Sequence, residues 1–225
     1  MNTERKIELT SDGSCTLYVP QLDEHYHSVK GAVTESRHIF IGMGLESHPA
    51  EAPVVLEIGF GTGLNAFLAW LWAESEHRKV DYTTIERYPV ESELLASLDY
   101  PSIVAPDRSG DFEELHRAAW DEKVKLSACF SLYKRKDDFT KLTLPKEAYD
   151  VVFFDAFAPE KQPEMWTQPI FDNLYAAMRD GGFLVTYCAK GVVRRMLQEA
   201  GFKTERLPGP PGGKREILRA VKMKE

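Results

Sequence analysis

Acidic side chains recur in this 225-residue chain at the ends of short apolar, β-branched runs. Glu57 stands near the end of Val54-Val55-Leu56-Glu57-Ile58, and Glu86 closes Val80-Asp81-Tyr82-Thr83-Thr84-Ile85. Asp137 and Asp138 follow the run 125–133, and Asp155 ends Tyr149-Asp150-Val151-Val152-Phe153-Phe154. Runs of this type read as buried strands of an α/β sheet. Ligands of open α/β sheets bind outside the carboxyl ends of the strands, so these acids would meet at one site. Carboxylates placed there attract a cation and oppose a pyrophosphate. One of them could also bind an amine as its ammonium, orient it, and take its proton.

Between the first two acids lies Gly59-Phe60-Gly61-Thr62-Gly63-Leu64-Asn65, followed by the helix-compatible run Ala66-Phe67-Leu68-Ala69-Trp70-Leu71-Trp72. Strand, glycine turn and helix form a nucleotide-type site, in which glycines allow positive φ and close backbone approach. Gly61-x-Gly63-x-x-Ala66, with Glu86 about 20 residues on, also satisfies the dinucleotide fingerprint, so a dehydrogenase-like binder is an alternative. The acids favour S-adenosylmethionine, which carries an ammonium and a sulfonium and no phosphate. On that reading Gly59, Phe60, Gly61, Gly63 and Asn65 surround the methionine moiety, and Glu57 orients the loop or its ammonium. Glu86 accepts the ribose hydroxyls, Asp138 rather than Asp137 meets the adenine amino group, and Asp155 faces the methyl group as catalytic residue.

The elements that must position these groups follow in order. Residues 1–50 read as an N-terminal extension: a hairpin from Lys6 to Val19 around Ser11-Asp12-Gly13, then a helix from Thr34 to Met43. It would serve as a substrate-side lid or as a plain surface cap. Residues 51–225 form the ligand-binding domain. Helices are expected over Leu64–Ser75, Pro89–Leu98, Asp111–Trp120, Thr167–Met178 and Gly191–Ala200, with a loop around Pro101 and Pro106. Strand three is expected over Lys125–Tyr133. Gly181-Gly182 is expected to turn into a strand over Phe183–Cys188. Phe202–Leu207 and Arg215–Val221 close the chain as an antiparallel pair joined by the proline- and glycine-rich loop 208–213. The fold class is therefore α/β: a Rossmann-like doubly wound sheet with a C-terminal antiparallel pair, the class I S-adenosylmethionine-dependent methyltransferase pattern, plus a small N-terminal extension.

Bulk composition sets bounds. Charged residues make up 28% and hydrophobic residues 43%, as in ordinary globular domains. No apolar run approaches the roughly 18 residues of a membrane span, and the polar N-terminus has no secretory core. A cytoplasmic location, with no membrane partner, is the expectation. Cys15, Cys129 and Cys188 are far apart and lack a CxxC, so reduced thiols are expected. His25-x-His27 lacks further ligands at a suitable spacing, so no metal is expected. Net charge is −7, yet from Thr186 onward ten Lys/Arg oppose four acids, a surplus of six that leaves −13 for the remainder. Such a basic end could dock a phosphate backbone or be a solvated surface.

The run Leu56 to Asn65 resembles the methyltransferase domain of the MnmC family. So do Asp155-Ala156-Phe157-Ala158-Pro159-Glu160-Lys161-Gln162-Pro163-Glu164-Met165-Trp166, Thr186-Tyr187-Cys188-Ala189, Asp23-Glu24-His25-Tyr26-His27-Ser28 with Gly31 and Glu35, and Lys214-Arg215-Glu216. The resemblance covers nearly the whole chain. It implies N-methylation, from S-adenosyl-L-methionine, of the 5-aminomethyl group of (2-thio)uridine at the tRNA wobble position. Asp155 matches the family's catalytic aspartate. It implies a methylation-only form without the FAD-dependent oxidase domain of the fused proteins, and a monomer is expected. The resemblance also makes Lys190, Arg194, Arg195, Lys214 and Arg215 candidate tRNA-backbone contacts. Tyr26 and His27 become candidates for holding a flipped-out base, with Phe157, Pro159 and Trp166 around the pocket. The chain departs from the family at Gln162, where Asn is common, and in the longer loop 208–213. A small-amine, polyamine-type transferase and a non-catalytic adenosyl-ligand binder are the rival readings.

Overall fold

The computed structural model describes residues 4–224. The chain opens with strands β1 (Lys6–Leu9), β2 (Cys15–Val19) and β3 (Glu24–His25), which form a three-stranded antiparallel sheet in that order. Thr10, Asp12 and Ser14 bond to one another at the β1–β2 turn, and Asp12 also accepts the Thr34 N–H at 2.8 Å. The turn is thereby tied to helix α1 (Ala32–Ser36), which continues as a π-helix over Arg37–Glu46. That helix is not part of a separate cap. Phe40 packs on Phe153 with ring centroids 5.3 Å apart, and a Cβ at Gly44 would stand 3.0 Å from the Val185 side chain. Residues 32–46 thus share the core of the body that follows them.

That body carries strands β4 (Val54–Ile58), β5 (Val80–Glu86), β6 (Lys123–Lys125) and β7 (Phe130–Lys136). It continues with β8 (Tyr149–Phe154), β9 (Met178–Thr186), β10 (Lys203–Pro208) and β11 (Glu216–Val221). The sheet order is β10-β11-β9-β8-β4-β5-β7-β6. The five central strands are parallel, and β11 and β6 run antiparallel to their neighbours. This is the class I methyltransferase-type α/β fold with its antiparallel closing pair, as expected. The strands are legible because parallel strands covered on both faces are apolar throughout; β8 is buried from end to end.

The helices are α2 (Leu64–Ser75), α3 (Ser92–Ala96), α4 (Tyr100–Val104), α5 (Ser109–Arg117), α6 (Gln168–Ala177) and α7 (Gly191–Glu199). Four expectations need correction. The stretch around Pro101 is helical, because a proline in a helix's first turn costs no bond; the segment 89–98 holds only the short α3. The single strand expected over Lys125–Tyr133 is a hairpin of β6 and β7. The Ser127 hydroxyl accepts the N–H groups of Cys129 and Phe130, both at 3.1 Å, and turns the chain there. Gly181-Gly182 lies inside β9 rather than before it, at a register irregularity against β8.

One buried charge ties a helix end to the sheet. Lys134 on β7 is 1% exposed, and its ammonium donates to the carbonyls of Leu115 (3.0 Å) and His116 (2.7 Å) at the end of α5. It also lies 4.9 Å from the Trp120 ring centroid, and burial pushes its pKa down to about 8. A cation at a helix C-terminus satisfies carbonyls that have no partner within the helix. Lys134→Met is expected to destabilise the protein by about 1–3 kcal/mol in urea unfolding. A loss below about 0.5 kcal/mol would show that α5 docks without this tie.

Candidate active site

The carboxyl ends of β4, β5, β7 and β8 open into a cavity of about 1090 Å³, covered on one side by the N-terminal segment. Its floor is the glycine loop. Gly59, Gly61 and Gly63 have φ of 91°, 51° and 75°. A Cβ at Gly59 would stand 2.9 Å from the Asp155 carbonyl, and one at Gly61 would stand 2.9 Å from the Tyr26 ring. Side chains are excluded by the chain's own packing as much as by any ligand.

Glu86, at the end of β5, accepts the Gly61 N–H at 3.0 Å through one oxygen and the Tyr88 N–H at 2.7 Å through the other. Both oxygens retain lone pairs toward the cavity. Asp138 caps the short turn Phe139–Lys141 by accepting the Thr140 N–H, and pairs with Arg87 at 3.1 Å and Lys141 at 3.2 Å. Its bond from the Thr140 hydroxyl heads the influences that hold its pKa below the usual carboxylate value.

Asp155 follows β8 at the cavity wall. Its Oδ2 accepts the Asn65 Nδ2–H at 2.8 Å, so α2 orients the carboxylate. Burial raises its pKa to about 7, helped by nearby Glu35 and opposed by Asn65 and Lys214. The loop beyond it is clamped. Gln162 Oε1 accepts the Phe157 N–H at 3.2 Å, the Trp166 indole N–H donates to the Phe157 carbonyl at 2.7 Å, and the Tyr187 hydroxyl donates to the Ala156 carbonyl at 2.9 Å. The spacing of Phe157, Gln162 and Trp166 therefore fixes one peptide segment beside Asp155.

Of the expected cofactor residues, Gly59, Phe60, Gly61, Glu86, Asp138 and Asp155 line the cavity. Glu57, Gly63 and Asn65 do not. Glu57 is fully buried on the α2 side of the sheet, near Thr84, Tyr82 and Asn65. Both of its oxygens, Tyr82 Oη, Thr84 Oγ1 and Asn65 Oδ1 lack hydrogen-bond partners among the described residues. Burial raises the Glu57 pKa well above the ordinary carboxylate value, and nearby Asp155 adds to this. Glu57 thus lies behind the cavity wall beside Asn65, the residue that orients Asp155, and does not face a ligand at that wall. At the cavity wall itself, the close-approaching glycine backbone with the carboxyl groups of Glu86 and Asp155 fits an occupant that carries hydroxyls and positive charge.

Of the expected substrate residues, Tyr26, His27, Phe157, Pro159, Lys190 and Lys214 line the cavity. Tyr26 meets Phe157 edge-on with ring centroids 5.1 Å apart. His27 is buried, shares a 2.9 Å hydrogen bond with Thr62 Oγ1, and is held neutral with a pKa near 4 by burial. It fastens the N-terminal segment to the glycine loop. Trp166 is a core residue against Phe154, because its indole N–H is spent on the clamp. Arg194 and Arg215 lie outside the cavity. The basic end is not one uninterrupted surface: Lys190 pairs with Glu160, Arg206 with Glu216, Lys214 with Glu35, and Arg219 with Glu205. His25 pairs with Glu8, and among the described residues no group of three or more His, Cys, Asp or Glu could hold a metal.

Sequence patterns gave no signal for Arg5. Its guanidinium donates to the Tyr26 hydroxyl (3.0 Å), Glu91 (2.8 Å) and the Tyr88 carbonyl (3.1 Å), closing the N-terminal segment over the cavity.

The S-adenosyl-L-methionine-dependent methyltransferase family matches over residues 112–223. The Cupriavidus metallidurans tRNA 5-methylaminomethyl-2-thiouridine biosynthesis bifunctional protein MnmC is 33% identical over 228 residues, spanning 93% of this chain and 32% of that protein. MNMC2 from Aquifex aeolicus superposes with a TM-score of 0.79 at 26% identity, over 99% of this chain and 72% of that one. This chain is homologous to the methyltransferase domains of MnmC. It is an S-adenosyl-L-methionine-dependent methyltransferase. The chain spans about a third of the length of the curated MnmC relatives it matches. Spermidine synthase from Thermotoga maritima, at 14% identity and TM-score 0.55 over 100% of this chain and 75% of that one, shares the fold. Among the described residues no helix is long and apolar enough to cross a membrane.

The raised pKa of Asp155 has a consequence for stability. The unfolded chain releases this proton near 3.8 and the folded chain near 7. Between those values the folded state binds more protons, so this group lowers stability as pH rises. Asp155→Asn is therefore expected to raise stability at pH 8 by on the order of 1–3 kcal/mol, with a gain that shrinks toward pH 4. Thermal unfolding of both proteins across that range checks it; a variant less stable than wild type at pH 8 contradicts it.

Proposed function

We propose that this chain methylates the amine of a 5-aminomethyl-uridine at the tRNA wobble position. The observation that carries the reading is Asp155, an aspartate at the cavity wall whose pKa is raised to about 7 and whose carboxylate is oriented by Asn65. The glycine loop, Glu86 and Asp138 are assigned to one ligand, Phe157 and Lys214 to the other, and the Tyr26 ring spans from Gly61 to Phe157. The first group suits an adenosyl cation, with Glu86 toward the ribose hydroxyls and Asp138 toward the adenine. Bound there, S-adenosyl-L-methionine supplies an electrophilic methyl group on a sulfonium.

The protein's own work is with the amine. An aminomethyl group arrives as an ammonium with no free lone pair. Asp155 binds it, aims it along the direction held by Asn65, and accepts one proton so that nitrogen can attack. A carboxylate with a pKa near 7 is matched to that exchange at neutral pH, and the adjacent aromatic rings keep water from the reacting pair. Tyr26 and Phe157 are assigned to the uracil ring, while His27 holds the cap. A base treated this way must leave its stack, which an anticodon loop permits. Arg194, Arg195 and Arg215 make no ion pair among the described residues and are assigned, with Lys190, to the RNA backbone. The MnmC names of the relatives support the choice of acceptor.

The test is methyl transfer from labelled S-adenosyl-L-methionine to tRNA that carries the aminomethyl group, with nucleoside mass spectrometry of the product. Wild type is expected to convert aminomethyl-uridine to its methylaminomethyl form. Asp155→Asn is expected to lose about 10²–10⁴ in kcat while still binding the cofactor. Absence of transfer by wild type, or loss of cofactor binding in step with kcat, would overturn the assignment.

A further inference from the structure

The Lys214 ammonium occupies a receptor for a cation. It lies 3.7 Å from the centroid of the Tyr187 ring and 3.6 Å from Glu35 Oε1. Glu35 comes from α1 and is 7% exposed. Its Oε2 accepts the Ser28 N–H at 2.9 Å, whereas Oε1 has no hydrogen-bond partner among the described residues. At 3.6 Å the contact with Lys214 is electrostatic rather than a hydrogen bond, so a buried acceptor remains unsatisfied. An aromatic face beside a carboxylate is a general way to hold an ammonium.

The receptor and its occupant belong to different parts of the molecule. Tyr187 is fixed through its hydroxyl to the Ala156 carbonyl, and Glu35 is fixed by the packing of α1. Lys214, by contrast, follows Pro210-Pro211-Gly212-Gly213, and residues 211–215 are all exposed. Its side chain is 44% exposed even while its end sits in the cavity. Glu35, Tyr187 and Lys214 share the cavity wall with Asp155, and both Glu35 and Lys214 lie close enough to act on its charge.

We propose that Glu35 and the Tyr187 ring complete, beside Asp155, the subsite that receives the acceptor's ammonium group, and that Lys214 fills this subsite in the free protein and leaves it when the acceptor enters. The inference rests on the amine-methylation reading above and adds a specificity device to it. A free amine must displace Lys214 with nothing offered in return. An amine carried on RNA brings phosphates that can take up the displaced ammonium beside Arg215. An internal competitor also lowers apparent affinity by the fraction of molecules in which it holds the site. Small amines are thereby disfavoured, and RNA-borne amines are not.

Benzylammonium is the probe, added to protein with ¹³C-labelled lysine side chains. The Lys214 ε-methylene signal is assigned by its absence in Lys214→Met. In the free protein it is expected upfield, under the Tyr187 ring, and it should move to the ordinary lysine position as the probe saturates. Lys214→Met should bind the probe at least about threefold more tightly than wild type, and adding Glu35→Gln should remove that gain. A signal that stays upfield at saturation, equal or weaker binding by Lys214→Met, or no probe binding by either protein overturns the inference. Methylation of aminomethyl-uridine tRNA by wild type is scored separately. Methylation with an immobile Lys214 removes the inference and leaves the reaction. Displacement without tRNA methylation removes the reaction and leaves an amine-binding subsite.

Discussion

Two backbone hydrogen bonds at the ends of the central parallel strands set the geometry of the site above them. The Asp155 N–H donates to the Ile58 carbonyl at 3.1 Å, and the Gly59 N–H donates to the Ile85 carbonyl at 3.0 Å. Ladder pairing therefore continues one residue beyond β4 and β8, and it brings Gly59, Glu86 and Asp155 abreast. Gly59 is the residue that permits this, because a Cβ there would stand 2.9 Å from the Asp155 carbonyl at a φ of 91°. Parallel register thus converts acids 98 positions apart in sequence, Glu57 and Asp155, into electrostatic neighbours on one face of the sheet.

That crowding explains both the chemistry and its cost. Acids near one another in a low-dielectric site cannot all ionise freely. Asp155 and Glu57 consequently have raised pKa values, with burial the larger cause in each. A cation entering the cavity relieves the same strain, so the site's discomfort when empty becomes affinity for positively charged ligands. Two histidines that hold other segments to the glycine loop act in the opposite pH range. His27 and His116 are both pushed down to about 4 by burial. Their contribution is complete above 6.5 and lost as pH falls toward 4, which loosens the contacts holding the N-terminal segment and α5 to the glycine loop.

The strands and their acids were legible because burial on both faces leaves an unbroken apolar run, and the acids interrupt it only at its end. The glycine loop was legible because alternating glycines mark backbone that takes positive φ, as Gly59, Gly61 and Gly63 do. What the loop did not reveal is that Glu57 sits behind the wall: a residue's face follows from strand parity and from what covers that face, and α2 covers this one. Trp166 was expected at the pocket, yet its indole N–H is committed to a carbonyl nine residues earlier. The hairpin at Ser127 was hidden because a hydroxyl bonding to backbone looks, in sequence, like an ordinary strand residue. Arg5 with Glu91, and Glu35 with Lys214, are contacts between segments far apart in the chain. No local periodicity encodes such pairs; they exist only once the extension has folded back over the strand ends.

The central claim is that the buried acidic site holds Asp155 near neutrality until a cation arrives. The direct measurement is a ¹³C NMR titration of the aspartate carboxyl groups, with Asp155 assigned by its loss in Asp155→Asn. The account predicts a titration midpoint near 7 in the free protein, moving down when S-adenosyl-L-methionine is added. A midpoint at the ordinary aspartate value near 3.8, unchanged by the cofactor, would contradict it.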